Sequence, residues 1–350
     1  MRVPDVKYAV DHLGSSKPKR DAIVYKMHGD VHFPKQAIIY KEQYEQYYST
    51  HAPFVAALGG ELVSKTFLFL GFSFTDPNLD YVLSRLHGGL GKRNHYCFMR
   101  EAQRSVDDDD ELFQYKRRKQ ELRIEDLKRF GIQTILVDEY ADITAIIREI
   151  ESRYRKKTVF FSGSAEEYGN WSRQDAISLV HNIAANCVEA NCRVVNGFGW
   201  GVGSAVINGA LQAIYGRPEK FSEAQLIVRP FPQHGDNLPE LWEQYRQRMI
   251  SLGGIALFFF GNKLDGGTLV NAGGVRREFE IALQHGLLPI PIGATGFMAE
   301  ELAREVLANP DSYFGAFTWV VPIVRKLADV ETSPGEIIKL IAEIVQRLSK

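Results

Sequence analysis

The stretch 158-TVFFSGSAEEYG-169 is the clearest indication of the fold of the second half of the chain. It opens with an apolar run of strand length, and Ser-Gly-Ser follows directly. The later stretch 194-VVNGFGWGVGSAVINGAL-211 repeats this order, with four glycines within residues 197–203 and a helical pattern after them. A turn of small residues between a strand and a helix lets the backbone approach a bulky anion, most often a phosphate. The two stretches therefore predict strand–turn–helix units that bind a phosphorylated ligand.

Strands and helices alternate on both sides of these turns. Further strands are predicted at 66–72, 132–137, 225–231, 255–261 and 287–292. Helices are predicted at 36–49, 78–86, 106–131, 141–154, 172–190, 203–213, 238–250, 275–285, 298–308 and 336–349. This alternation is typical of doubly wound parallel sheets. We therefore predict an α/β protein of two Rossmann-like parallel-sheet domains, at 1–153 and 154–350, of which the first is incomplete.

Composition narrows the class of protein. The 350 residues carry a formal net charge of −1, so no overall positive field attracts nucleic acid or a membrane surface. The apolar run 255–261 is too short to span a bilayer, and residues 1–20 contain no hydrophobic signal core. The three cysteines match neither a metal pattern nor an even set of disulfides. We expect a cytoplasmic protein that binds no metal, nucleic acid or membrane.

Three turns of small residues follow strands in the second domain: 162-SGSA-165, 197-GFGWGVGS-204 and 272-AGGV-275. Each precedes a helix whose N-terminus carries partial positive charge. One such turn often serves only close packing of a helix on a strand, but three at one end of a sheet favour ligand binding. The turn residues that we expect at the ligand are Ser162, Gly163, Ser164, Gly197, Gly199, Gly273 and Gly274.

Three charged residues add to this hypothesis. Arg246 and Lys263 are able to clamp phosphates, Arg246 through a bidentate fork. Glu278 lies one turn into the helix after Gly274 and is able to accept ribose hydroxyls. The local pattern leaves a second interpretation open. In it, Arg246 or Arg248 belongs to a solvated helix face, and Glu278 pairs with one of the two arginines beside it, at 276 and 277.

The second half resembles a SLOG domain over about residues 156–320. The resemblance rests on four stretches: 158-TVFFSGSA-165, 194-VVNGFGWGVG-203, 258-FFFGNK-263 and 273-GGVRREFEIAL-283. SLOG domains are similar to Rossmann-like nucleotide-processing enzymes of the lysine-decarboxylase-like type, and they often sense nucleotide signals. The resemblance implies a sensor pocket whose turns receive the phosphates.

The first half resembles the C-terminal part of a sirtuin-like domain of the bacterial defence type. The motifs are 25-YKMHGDV-31 and 70-LGFSFTDPNLDYVL-83, and 120-QELRIEDLKRFGIQTILVDEY-140 fits the last helix–strand unit. In sirtuins the histidine of the matching HG motif is a general base on the ribose of NAD, a role that carries over to His28. The resemblance also places Gly71, Ser73 and Asp76 at the NAD crevice.

The chain departs from the sirtuin pattern at its start. The glycine-rich pyrophosphate turn and the asparagine motif of that family have no counterpart in the 27 residues before His28. We therefore expect the chain to begin inside its first domain and, as written, not to hold NAD productively. Many sirtuins that deacetylate proteins carry a four-cysteine zinc module, which three scattered cysteines do not supply.

A sirtuin-like domain followed by a SLOG domain resembles the ThsA family of Thoeris anti-phage effectors. The resemblance implies that a cyclic ADP-ribose isomer, made by a partner TIR-domain protein, binds the SLOG pocket. The sirtuin-like domain then hydrolyses NAD to ADP-ribose and nicotinamide. The arginine, lysine and glutamate of the family's ligand site fall on Arg246, Lys263 and Glu278. The family also implies a homo-tetramer.

Two alternatives stay open from the sequence. In the first, the chain is a cyclic-nucleotide-binding module without catalysis. In the second, it is a SLOG-type nucleotide hydrolase in which Glu278 assists cleavage and Arg276 and Arg277 clamp the phosphate. The second alternative leaves the motifs of the first domain unexplained.

Overall fold

A computed structural model describes residues 4–18, 20, 22–72, 74, 83 and 93–349. The chain divides into two compact units, Met1–Ala145 and Ile146–Lys350. The division falls inside the helix Tyr140–Lys156, whereas the sequence placed the boundary after residue 153. Most of the helix predicted at 78–86 lies outside the described residues.

The first unit contains two small parallel sheets. One pairs β1 (Pro4–Lys7) with β2 (Ala22–Tyr25). The other has the order β3 (Leu68–Phe69), β4 (His95–Arg100), β5 (Ile132–Val137). The helices of this part are α1 (Lys41–Glu45), α2 (Tyr47–Thr50), α3 (Ala52–Ser64), α4 (Asp110–Arg129) and α5 (Tyr140–Lys156), with 3-10 turns at Val10–Gly14 and Pro34–Gln36.

The single helix predicted over 36–49 is wrong. The backbone amides of Ile39 and Tyr40 both donate to the Gln43 side chain, at 2.8 and 2.9 Å, so the helix starts only at Lys41. A second short helix follows from Tyr47, and the longer α3 was not predicted. Side-chain hydrogen bonds that replace backbone ones are a known competitor of helix formation.

The long helix predicted within 106–131 is confirmed with narrower bounds. The Asp109 carboxylate accepts a hydrogen bond from the Leu112 amide at 2.7 Å and so caps the start of α4. The helix ends at Arg129, and Gly131 has a φ of +77°, the left-handed conformation that glycine adopts without strain. The acidic start and basic end of α4 suit its macrodipole.

The second unit is a doubly wound parallel sheet, which confirms the predicted fold class. Its strand order is β12–β9–β6–β7–β8. These strands are β6 (Thr158–Ser164), β7 (Arg193–Asn196), β8 (Leu226–Val228), β9 (Ile255–Phe260) and β12 (Leu288–Pro291). A separate antiparallel hairpin, which the sequence did not reveal, joins β10 (Asn262–Asp265) to β11 (Thr268–Asn271).

Helices enclose this sheet. They are α6 (Arg173–Glu189), α7 (Gly203–Gly216), α8 (Leu238–Ile250), α9 (Gly273–Gln284), α10 (Phe297–Ala308), α11 (Pro310–Phe314), α12 (Val321–Ala328) and α13 (Pro334–Leu348), with 3-10 turns at Glu223–Gln225, Gly293–Thr295 and Thr318–Val320. Over the ranges given above, none of the helices combines the length and the apolar composition that a bilayer crossing requires.

The core of the second unit forms around β6 and β9. Every residue of β9 is buried, and the rings of Phe161 and Phe259 stack with centroids 5.8 Å apart. The chain runs from β6 outward to β7 and β8, then returns to β9 on the other side of β6. The strand order therefore reverses between β6 and β9. In open α/β sheets this switch point, at the carboxyl ends of the strands, is where ligands bind.

Candidate functional site

The turns at the switch point pack directly against one another. A Cβ atom placed on Gly163 would lie 2.6 Å from the carbonyl oxygen of Phe259, and one on Gly199 would overlap the carbonyl oxygen of Gly163. A Cβ on Gly197 would lie 2.8 Å from the ring of Phe231. Close packing thus explains why these three positions are glycine, against the backbone at Gly163 and Gly199 and against a side chain at Gly197, and it brings the ends of β6, β7 and β9 together.

A buried polar cluster joins the end of β6 to α9. The Ser162 hydroxyl donates to Oε2 of Glu278 at 2.6 Å, although the two residues are far apart in sequence. Arg246, on α8, holds its Nε 3.7 Å from Oε1 of the same carboxyl group, an ion-pair distance too long for a hydrogen bond. The structure therefore brings together three of the predicted ligand residues. We call them the Ser162–Glu278–Arg246 cluster.

Burial raises the pKa of the Glu278 carboxyl above its usual value. The hydrogen bond from Ser162 and the positive charge of Arg246 oppose this rise. The three influences have distinct physical origins, since burial disfavours the charged form while a donor or a cation favours it. Perturbed acids of this kind concentrate in functional clefts.

Arg246 is held in place but retains unused hydrogen-bonding capacity. Its guanidinium lies over the ring of Phe231, 4.9 Å from the centroid. Its Nε is buried and has no hydrogen-bond partner within the described part of the chain. A Cβ on Gly274 would lie 3.2 Å from Nη2, so this glycine gives the guanidinium room. Since only 18% of the Arg246 side chain is exposed, the alternative of a solvated helix face is wrong.

The arginines next to Glu278 bind other carboxylates. Arg276 pairs with Glu280 and Glu305. Arg277 pairs with Glu243 at 2.6 Å and with Glu280 at 2.8 Å. The alternative in which Glu278 pairs with either arginine is therefore wrong.

Lys263 stands apart from this cluster, and Gly273 does not pack as closely as the other glycines. Lys263 lies on the β10–β11 hairpin, where 54% of its side chain is exposed and its ammonium is 3.7 Å from Asp265 rather than near Glu278. Gly273 has open space around its Cβ direction. The hydroxyl of Ser164 donates to the carbonyl of Asn262 at 3.0 Å and ties β6 to the hairpin.

Arg229 is a further basic residue at this edge of the sheet, and it was not predicted from the sequence. It follows β8 directly, and its backbone amide donates to the carbonyl of Asn196 at 3.0 Å. Its Nε is buried without a hydrogen-bond partner among the described residues, as is that of Arg246. A basic residue immediately after a predicted strand was the available signal, because the carboxyl ends of parallel strands share one edge.

Two aromatic residues of the glycine-rich turn were also overlooked. Phe198 has a φ of +60°, a conformation that costs energy for a residue with a Cβ, and its side chain is half exposed. The amide of Phe198 donates to Asn196 Oδ1 at 2.7 Å, which fixes this turn. Trp200 is 73% exposed. Exposed rings beside a nucleotide site are suited to stacking on a base.

In the first unit, His28 follows β2 and is partly buried between aromatic rings. Tyr44 and Tyr47 meet its ring edge-on, with centroids 4.9 and 5.7 Å away. The backbone around it is fixed, because the Tyr47 hydroxyl donates to the carbonyl of Met27 at 2.9 Å and the Ile38 amide donates to the carbonyl of His28 at 3.0 Å. The histidine thus lies three residues after the carboxyl end of β2, which pairs in parallel with β1.

Asp30 supports this histidine turn. Its carboxylate pairs with Lys26 and accepts a hydrogen bond from the His32 amide at 2.9 Å. The hydrogen bond from Lys26 lowers the pKa of Asp30. Gly71 follows β3 with a φ of +62° and open space around it. Ser73 and Asp76, the other two predicted NAD-crevice residues, lie outside the described residues.

The described ranges contain no group of three or more His, Cys, Asp or Glu side chains that could hold a metal ion. Cys97, Cys187 and Cys192 are buried free thiols. Burial raises the pKa of all three. These thiols are therefore poor nucleophiles at neutral pH.

Comparison with known proteins identifies both halves. Residues 2–124 match the SIR2-like domain family, and residues 142–348 match the Sir2- and TIR-associating SLOG family, STALD. The NAD(+) hydrolase ThsA of Bacillus cereus (strain MSX-D12) is 44% identical over 351 residues, which cover 99% of this chain and 74% of that protein. The NAD(+) hydrolase ThsA of Cytobacillus dafuensis is 42% identical over 358 residues, 99% of this chain and 72% of that protein.

A third relative agrees with these. The NAD(+) hydrolase ThsA of Acinetobacter baumannii (strain 532279) is 44% identical over 324 residues, 89% of this chain and 67% of that protein. The two family matches stand in the order that the sequence predicted. The chain belongs to the ThsA family, in which a SIR2-like domain precedes a Sir2- and TIR-associating SLOG domain.

Proposed function

We propose that this chain is an anti-phage effector that hydrolyses NAD(+) to ADP-ribose and nicotinamide when a cyclic ADP-ribose isomer binds its second unit. The observation that carries the sensing half of the proposal is the buried Ser162–Glu278–Arg246 cluster at the switch point of the sheet. The hydrolytic half rests on relatives that are named NAD(+) hydrolases.

The chemistry of the site fits a cyclic dinucleotide-like ligand. A pyrophosphate carries two negative charges, and two arginines at this edge, Arg229 and Arg246, have a buried Nε without a partner in the described part of the chain. The N-termini of α7 and α9 add partial positive charge. Glu278 would accept a ribose hydroxyl in place of, or beside, the hydroxyl of Ser162. Lys263 would approach the ligand from the hairpin.

The first unit would supply the hydrolysis. The bond between C1′ of the ribose and the nicotinamide nitrogen breaks, and nicotinamide leaves with the bonding electron pair. A bond forms between C1′ and the oxygen of water. His28 would act as general base, taking a proton from that water or from a ribose hydroxyl. Gly71, Ser73 and Asp76 would line the NAD crevice.

The proposal also covers the partner protein, the location in the cell and the oligomeric state. A TIR-domain protein would make the cyclic ADP-ribose isomer, so that the two proteins form a signal producer and a signal reader. The chain would work as a cytoplasmic homo-tetramer whose subunits rearrange on binding. Such regulation requires that the ligand bind two states of the protein with different affinity.

Calorimetric titration of the chain with cyclic ADP-ribose isomers, ADP-ribose and NAD tests the sensing half. We expect isomer-selective binding that weakens at least about tenfold in Arg246→Ala, because a charge-assisted hydrogen bond is lost. Arg248→Ala is the matched control, since it removes the same charge from an exposed position on the same helix. Failure of every isomer to bind would contradict the proposal.

An assay of NAD loss tests the hydrolytic half. In a protein to which the glycine-rich pyrophosphate turn and the asparagine motif of the sirtuin pattern are added, we expect consumption of NAD only in the presence of the bound isomer. His28→Ala in that protein should react at least about a hundredfold more slowly, since general-base catalysis contributes about that much. Saturable isomer binding without any NAD loss would instead favour a binding module without catalysis.

The nucleotide-hydrolase alternative requires Arg276 and Arg277 to be available to bind a phosphate. Arg276 and Arg277 are occupied by three glutamates, at positions 243, 280 and 305. Release of free base from a nucleoside monophosphate, abolished in Glu278→Gln, would nevertheless establish that activity and overturn the sensor role of this pocket.

A further inference from the structure

A second cavity lies in the second unit at the opposite edge of the sheet, where β9 and β12 begin. Its volume is about 160 Å³. The residues that line it and matter for its chemistry are Arg148, Glu151, Arg155, Lys156, Gly254 and His285. The first four come from α5, and the others come from the start of β9 and the end of α9.

Positive charge prevails in this cavity. Three cations face it against one carboxylate, that of Glu151. Among the described residues no carboxylate pairs with Arg148 or Arg155, whereas the neighbouring Arg153 binds Glu149 at 2.7 Å. The residues that line the cavity therefore carry an excess of positive charge.

Arg155 carries the strongest sign of an absent partner. Its Nε donates to the carbonyl of Gly253 at 3.2 Å, which fixes the guanidinium. Its Nη2 is buried and has no hydrogen-bond partner in the described part of the chain. A buried donor without a partner costs about 1–3 kcal/mol, so a ligand acceptor here would be favoured.

The walls of the cavity are rigid. A Cβ on Gly254 would lie 2.5 Å from the carbonyl carbon of Arg155, so the end of α5 and the start of β9 touch through their backbones. The His285 imidazole holds its Nε2 2.8 Å from Gln247 Oε1, and Gln247 in turn donates to Glu243 at 3.1 Å. Burial and then the charge of Arg155 lower the pKa of His285.

We propose that this cavity binds a small anion of the phosphate class, inorganic phosphate or a phosphate monoester, at a site separate from the switch point. Arg148 and Arg155 line the cavity, the buried Nη2 of Arg155 lacks a partner among the described residues, and a guanidinium group recognises phosphate oxygens through paired hydrogen bonds. The excess positive charge excludes a metal cation. The proposal is independent of the sensing function of the second unit.

Titration of the full chain with inorganic phosphate, against sodium chloride of equal ionic strength, tests the site. We expect saturable phosphate binding that weakens at least about tenfold in Arg148→Glu. Arg148 is exposed, so this variant should fold. Arg153→Glu is the matched control, because it changes the charge of the same helix equally but away from the cavity, and it should bind phosphate as the unaltered chain does.

Two further variants separate this site from the switch point. Phosphate binding should persist in Arg246→Ala and should weaken in Arg155→Gln, with folding of each variant checked by circular dichroism. Equal binding in Arg148→Glu and the unaltered chain, loss of all binding in Arg246→Ala, or no phosphate binding to any of the proteins would overturn the proposal. Tighter binding of ribose 5-phosphate than of inorganic phosphate would identify the ligand as an ester, and the reverse as free phosphate.

Discussion

Glu278 is an acid that the fold places in an environment unfavourable to its charge. Burial raises its pKa, and a single hydroxyl and a cation at 3.7 Å only partly oppose this. Groups that are costly to bury and yet retained at a cleft are typical of functional sites. The cost itself is measurable, because a pKa shift is a difference in stability between protonation states.

We predict that Glu278→Gln raises the free energy of unfolding at pH 7. The folded pKa lies above the unfolded one, so the unaltered chain loses stability as the pH rises from the usual glutamate value through the raised one. The two proteins should converge below pH 4.5, the usual value. Urea unfolding of both proteins between pH 4 and pH 7 measures this difference. A Glu278→Gln variant that is less stable than the unaltered chain at pH 7 would contradict the prediction.

Arg229 offers a second test at the scale of single residues. Its buried Nε has no hydrogen-bond partner in the described chain, so Arg229→Ala removes an unsatisfied buried donor and breaks no hydrogen bond of that atom. We therefore expect little change in melting temperature. Binding of the cyclic ADP-ribose isomer should weaken about tenfold, since a phosphate contact is lost. Arg217→Ala, which removes an exposed arginine paired with Glu189, is the control and should leave binding unchanged.

At the scale of elements, the switch point depends on strand ends that touch through their backbones. Gly199 packs on the carbonyl of Gly163, and Gly163 packs on the carbonyl of Phe259. Three strands are thereby held in one relative position, and one of them, β6, carries Ser162 of the Ser162–Glu278–Arg246 cluster. Because the contacting atoms belong to the backbone, an added side chain cannot move out of the way.

We predict that Gly199→Ala destabilises the second unit by about 1–3 kcal/mol or more, the range typical of overpacking. The control is Gly216→Ala at the end of α7, where no atom lies within 4 Å of the Cβ position. That variant should be neutral or slightly stabilising. Thermal unfolding compares them, and equal melting temperatures for the two variants would show that the turns are not packed as described.

At the scale of the whole molecule, the described residues of the two units form hydrophobic cores of very different size. The core of the second unit extends from Val159 to Leu348. Within the described residues the first unit has one small cluster, formed by Leu62, Leu83, Cys97, Leu127 and Ile132. Stability rises with the apolar area that folding buries, so the units should differ in stability.

We predict two separate unfolding transitions in scanning calorimetry, with the first unit melting at the lower temperature. Leu62→Ala should lower only the first transition, because loss of a buried leucine costs about 2–5 kcal/mol. Ile341→Ala should lower only the second. A single transition that shifts in both variants would instead show that the units unfold as one.

The order of strands, turns and helices in the second half was determined by the sequence alone. Apolar runs and glycine turns are local patterns. An apolar run indicates a buried element, and a glycine turn indicates a particular backbone conformation, each within a few residues. The family resemblance was visible for the same reason, since its motifs are short. The single helix predicted at 36–49 is wrong because the backbone amides of Ile39 and Tyr40 donate hydrogen bonds to the Gln43 side chain and not to backbone carbonyls of a helix.

The partner of each charged residue was decided only by the tertiary structure. Two arginines directly precede Glu278 in the chain, yet its contacts are Ser162 and Arg246, which lie on β6 and α8. No local pattern encodes that choice, because it depends on the strand order that places β9 beside β6. The sequence thus determined which elements form and where their ends lie, and the packing of those elements determined which side chains meet there.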